Sequence, residues 1–141
     1  MPGKKSATKK LTPRQRRDLD IKIAFMEGIV RRDPDYVEAW EILGDDYTSR
    51  GKYAEGLKVD LRLALLRPDD PMVHYNLGCS YALNRKFTKS MATLEQAVRL
   101  GFHNLRQLAR DPDLSGLRKH PSYPTFRTKL GRIKAASAEC R

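Results

Sequence analysis

Apolar residues recur along this chain at three- and four-residue intervals, in blocks separated by Pro, Gly and Asp, the pattern of short amphipathic helices. The first block, Leu19, Ile21, Ile23, Phe25, Met26, Ile29 and Val30, lies behind Thr12-Pro13-Arg14-Gln15. The Thr hydroxyl can accept from a free backbone N–H, Pro13 suits the first helical position, and Gln15 completes a capping box. This predicts a helix over 13–32, apolar over much of its circumference, as a helix with neighbours on more than one side is. Asp35-Tyr36-Val37-Glu38 reads as a second capping box, opening a helix over 36–49 that Gly51 ends. Another helix follows over 53–66, before Pro68. Asp70-Pro71 opens a helix running to 83, Asn84-Arg85 makes a turn, and 87–100 forms the partner helix, stopped by Gly101. Asn104 can cap a short helix over 105–110, Asp111-Pro112-Asp113 forms a turn, and a last helix covers 122–135. No strand-like alternation competes, so the predicted fold class is all-α.

Two of these helix pairs repeat each other at a spacing of 34 residues. Trp40, Leu43, Gly44, Tyr47 and Pro68 recur as His74, Leu77, Gly78, Tyr81 and Phe102, and Pro34 lies one period before Pro68. A fixed period of this size marks stacked helical hairpins, an architecture that usually holds partners. Gly44 and Gly78 let a partner helix approach closely; in an exposed helix each would cost about 1 kcal/mol against Ala. Trp40 reads as a main anchor of the first hairpin, and its replacement by Ala predicts a loss of about 3–5 kcal/mol.

The pattern Trp40-x2-Leu43-Gly44-x2-Tyr47 with Pro68, and its second copy Leu77-Gly78-x2-Tyr81 with His74 in place of Trp, resembles the tetratricopeptide repeat. The resemblance implies a short α-solenoid of antiparallel hairpins: a disordered basic tail over 1–11, an N-terminal half-repeat or cap over 12–34, repeats over 35–68 and 69–103, capping helices over 104–135, and a frayed end over 136–141. Gly56 and Ser90 stand where the family has a small residue in the second helix. Asp60 and Leu94 stand where it prefers an aromatic, and Asp60 implies a looser first hairpin or a reoriented helix face. Phe102 replaces the terminal Pro, so the regular stack should not continue past it. The segment 104–127 resembles an extension found after repeats in some bacterial proteins. Leu105, Leu108, Leu114, Leu117, Phe126 and Leu130 would cover the open end of the second repeat.

In this family the first helix of each hairpin lines a groove. With Trp40, Leu43 and Tyr47 committed to packing, the opposite stripe carries Glu38, Glu41, Asp45 and Thr48. The matching stripe of the next copy is Met72, Tyr75, Asn76, Cys79 and Ala82, giving a groove acidic at one end and mostly apolar at the other. Some relatives hold C-terminal carboxylates through Lys, Arg and Asn on this stripe. Here only Asn76 matches, and Glu41 and Asp45 stand where cations or Asn would be needed, so a basic or amphipathic peptide is the expected protein partner. A solvated acidic face that binds nothing is the plain alternative.

Net charge adds a second site of interest. The formal +11 divides into +7 over residues 1–17, −2 over 18–114 and +6 over 115–141, so the basicity belongs to the ends. Lys4, Lys5, Lys9, Lys10, Arg14, Arg16 and Arg17 could neutralise phosphates of nucleic acid or an acidic membrane surface, without sequence specificity because no aromatic interleaves them. Self-association of the stack stays open, as does a basic tail visiting the acidic groove. His74, His103 and His120 show no metal-ligand spacing. There is no phosphate loop, nucleophile elbow or His/carboxylate pairing, and Ser80 and Cys79 lack a base at helical spacing. The sequence therefore predicts a non-catalytic scaffold without cofactor or metal. No apolar run reaches the roughly 18 residues of a membrane span, no secretory signal opens the chain, and Cys79 and Cys140 sit in no paired pattern, which together predict a cytoplasmic protein.

Overall fold

The computed structural model describes residues 10–139. The chain forms α1 (Pro13–Arg32), α2 (Val37–Arg50), α3 (Tyr53–Leu66), α4 (Pro71–Leu83), α5 (Phe87–Arg99), α6 (Leu105–Arg110), a 3-10 turn (Pro112–Leu114), α7 (Ser115–Arg118) and α8 (Tyr123–Glu139), with no strand among the described residues. Consecutive helices pack on one another, α1 on α2, α2 on α3, α3 on α4 and α4 on α5, which is an all-α repeat solenoid. The expected disordered tail falls outside the described residues for positions 1–9. At the other end α8 continues to Glu139, four residues beyond the sequence expectation.

Side-chain caps open α1, α4 and α6. Thr12 accepts from the Gln15 N–H at 3.1 Å while the Gln15 side chain accepts from the Thr12 N–H at 2.9 Å. Asp70 accepts from the N–H groups of Met72 and Val73, and Asn104 from Gln107. The second capping box does not form. Tyr36 is the N-cap of α2 and makes no side-chain cap bond. The Asp35 carboxylate, in the turn between α1 and α2, instead pairs with Arg62 of α3 at 3.2 Å. Gly51 ends α2 at φ 82°, and Arg85, one period later, holds the same left-handed conformation at φ 59°, which costs a non-glycine residue about 1 kcal/mol.

Two apolar clusters form the interior. Ile23, Met26, Val30, Leu43, Tyr47, Val59, Leu63 and Val73 join α1 to α3 and the start of α4. Tyr75, Cys79, Leu94, Phe102, Leu108, Leu114, Leu117, Phe126 and Leu130 join the rest of α4 to α5 and the C-terminal segment. The periodic glycines do pack closely. A Cβ on Gly78 would sit 2.6 Å from two atoms of Leu94, and one on Gly44 would sit 3.1 Å from Val59.

Two expectations change. Trp40 is only partly buried at the edge of the first cluster, so the expected 3–5 kcal/mol for its removal is too large. Its indole N–H donates to the Pro34 carbonyl at 2.7 Å, and His74 Nε2 makes the equivalent bond to Pro68 at 2.7 Å. Histidine thus keeps the hydrogen bond that ties each hairpin to the loop before it, although the indole is gone. Asp60 neither loosens the hairpin nor turns its face outward. It is buried in α3 and accepts a short hydrogen bond from the Ser80 hydroxyl of α4, so it joins one repeat to the next.

Candidate functional site

The stripe on α2 follows the sequence expectation in part. Glu38 is exposed, and Glu41 and Asp45 are half-buried. Helical spacing sets all three along one side of α2. Partial burial pushes the Glu41 carboxyl above the ordinary carboxylate range, and the negative charge of Glu38 adds to this; Arg67 opposes it and Asp70 reinforces it. Thr48 does not belong to an open stripe. It is buried, and its hydroxyl donates back to the Gly44 carbonyl at 3.0 Å.

The stripe on α4 is covered. Tyr75 is 0% exposed, and its ring stacks on Phe102 with centroids 4.3 Å apart. Its hydroxyl donates to Asp111 at 2.6 Å, and the Cys79 thiol lies 3.8 Å from the same carboxylate oxygen. Asn76, Cys79 and Ala82 are buried, and Met72 is half-buried against the same cluster. The 3-10 turn and α7 lie across this face of α4. The expected groove with an acidic and an apolar end is therefore not a single open surface: its second half is packed under the chain's own C-terminal segment. The physical reason is that an apolar stripe needs a cover, and the segment after Asn104 supplies Leu108, Leu114 and Leu117. The Asn76 Oδ1 is buried without a hydrogen-bond partner among the described residues.

Sequence reasoning missed Asp111. Its local sequence signals only a turn, yet it clamps the cover to α4 by accepting from Tyr75 while capping the 3-10 turn through the Asp113 N–H at 3.0 Å. One signal was present. The expected groove stripe of α4 carries Met72, Tyr75, Cys79 and Ala82, which suits contact with protein better than contact with water.

A crevice of about 470 Å³ opens elsewhere, between α1 and α3, over Trp40, Leu43 and Tyr47. Tyr47 donates a short hydrogen bond from its hydroxyl to Glu27 across it. Burial, and then this carboxylate, push the Tyr47 phenol well up. The crevice rim mixes Glu27 and Glu55 with Arg31 and Lys58, so it carries no net charge preference. Among the described residues there is no cluster of His, Cys, Asp and Glu able to hold a metal ion. Nor is any helix among them long and apolar enough to cross a membrane.

No family model matches the chain. It is similar to a chloroplastic protein of Arabidopsis thaliana, 26% identical over 83 residues. It is similar to Superkiller complex protein 3 of Mus musculus, 24% identical over 78 residues, and to the peroxisomal targeting signal receptor of Komagataella phaffii, 30% identical over 96 residues. These matches take in 57%, 55% and 67% of this chain, but only 25%, 5% and 16% of the respective relatives. The chain thus spans a quarter or less of the length of the curated relatives it matches. The helix pairs fit repeats of the tetratricopeptide type.

Proposed function

We propose that this chain is a tetratricopeptide-repeat scaffold without catalytic chemistry, which holds a basic or amphipathic peptide against Glu38, Glu41 and Asp45 of α2. The observation that carries the reading is the contrast between the two equivalent stripes. The one on α4 is sealed by protein, while the acidic one on α2 reaches solvent. A half-buried Glu41 whose charged form is disfavoured by burial and by Glu38 would gain from a Lys or Arg brought beside it. The peroxisomal targeting signal receptor is by its name a receptor, which supports a protein-holding role. Two cysteines outside any pairing pattern support placement in the cytosol.

The test is fluorescence anisotropy with a labelled Lys-rich amphipathic peptide and the full chain. Glu41→Lys combined with Asp45→Lys should abolish binding, and unchanged affinity in that variant refutes the reading. The pH response has a definite sign. Cation binding favours ionised Glu41, whose pKa in the free chain is raised. Affinity should therefore be full near neutrality and fall on acidification, beginning at a higher pH than an ordinary carboxylate would give. A Glu41→Gln chain should lose much of that slope.

A further inference from the structure

The C-terminal segment does more than cover α4. On its outer side, α6 and α8 enclose a cavity of about 420 Å³. Arg106 and Arg110, four residues apart on α6, and Arg127 on α8 line it, with Leu108, Tyr123 and Leu130 beneath them. No carboxylate is among its lining residues. The side chains of Arg106, Arg110 and Arg127 are exposed and, like several other surface cations, form no ion pair or hydrogen bond among the described residues, so all three are available to an incoming anion. The neighbouring acids are turned elsewhere, Asp111 to Tyr75 and Glu95 to Lys129. Gly131, one turn after Arg127, has nothing within 4 Å of where its Cβ would lie, so the backbone there is open to an incoming group.

Three arginines around an apolar floor concentrate positive charge where an anion with an apolar body could sit. A guanidinium fork matches phosphate and carboxylate oxygens in bidentate geometry. A phosphate monoester carries about −1.5 to −2 charges near neutrality, suited to three cations. The cavity size lies in the ordinary range for small-ligand pockets, roughly 300–1,000 Å³. We propose that this cavity binds a phosphate monoester carried on an apolar or aromatic body, with Arg106, Arg110 and Arg127 on the phosphate and Leu108, Tyr123 and Leu130 against the body. The site lies apart from the α2 stripe and does not depend on what that stripe holds.

Isothermal titration of the full chain with phenyl phosphate, inorganic phosphate and phenol tests the proposal. Phenyl phosphate should bind more tightly than either fragment. Arg127→Ala should weaken it about tenfold or more. Arg127→Lys should recover only part of the loss, because a point charge replaces the fork. Arg99→Ala, on the exposed end of α5, is the control and should bind as the unaltered chain does. Circular dichroism of each variant confirms that it is folded. Absence of phenyl phosphate binding overturns the proposal, as does binding unaffected by Arg127→Ala, which would assign the affinity to the basic ends. Sedimentation with phosphatidic-acid vesicles separates two sources of the same group. Capture lost in Arg127→Ala marks a lipid headgroup, and phenyl phosphate binding without vesicle capture marks a free small molecule. Vesicle capture without phenyl phosphate binding counts against the cavity.

Discussion

Replacing Asp111 with Ala tests whether the C-terminal segment is clamped to α4 by one carboxylate. The side chain accepts from the Tyr75 hydroxyl at 2.6 Å and from the Asp113 N–H at 3.0 Å, so truncation strands two donors. Tyr75 is fully buried, so its stranded hydroxyl is shielded from bulk water. A buried donor left unmade costs about 1–3 kcal/mol, which for the pair gives roughly 2–6 kcal/mol in total. For a chain of 141 residues this lowers the thermal midpoint by roughly 7–20 °C. Urea titration followed by circular dichroism measures the free energy. Amide exchange locates it, and the loss of protection should concentrate in α4 and 105–130 and spare α1 to α3. Tyr75→Phe alone should cost about 1–2 kcal/mol, since Asp111 keeps its other donor. The two substitutions share one bond, so the double variant should be less unstable than their sum by about 1 kcal/mol or more. An Asp111→Ala chain within about 0.5 kcal/mol of the unaltered one would refute the clamp. Strict additivity of the two losses would refute it equally.

Gly78→Ala should destabilise by about 1–3 kcal/mol in urea titration, because the new methyl drives into the buried Leu94. Gly44→Ala should fall near neutral, its closer fit to Val59 offset by about 1 kcal/mol of helix propensity. Stability should also decline in alkali. Burial pushes the Tyr47 and Tyr75 phenols above their ordinary value of 10.0, with Glu27 and Asp111 as respective hydrogen-bond partners that push the same way. The folded chain therefore holds those protons more tightly than the unfolded one. The stabilisation is complete below pH 10 and is lost as pH rises beyond it, so thermal midpoints taken upward from pH 9 should fall, and less steeply in Tyr75→Phe.

Local signals carried much of the architecture. The Thr12–Gln15 box, the Asp70 and Asn104 caps and the breaks at Gly51 and Gly101 each act over a few residues, and the helices begin and end close to where they indicate. The second box does not form: α2 starts one residue later, with Tyr36 at its N-cap, and the Asp35 carboxylate meets Arg62, 27 residues away, a partner no local rule can see. Asp60 escapes sequence reasoning for a similar reason: its fate depends on Ser80 across a helix interface. The site was the least legible part. Which apolar stripe faces water and which lies under the chain is decided by where the segment after Asn104 folds. Only the tertiary path brings Asp111 to Tyr75, 36 residues back, and Arg127 to Arg106 and Arg110.

Cys79 sits 1% exposed beside Asp111, behind the turn that seals α4. A thiol placed there reacts with an alkylating reagent only in molecules whose lid has swung away. With Cys140 exchanged for Ser, the labelling rate of the remaining sulfur becomes a stopwatch for that excursion, read in the intact protein without denaturant. The same residue that a bare helix would have offered to a ligand serves instead as an internal gauge of how firmly the chain closes over itself.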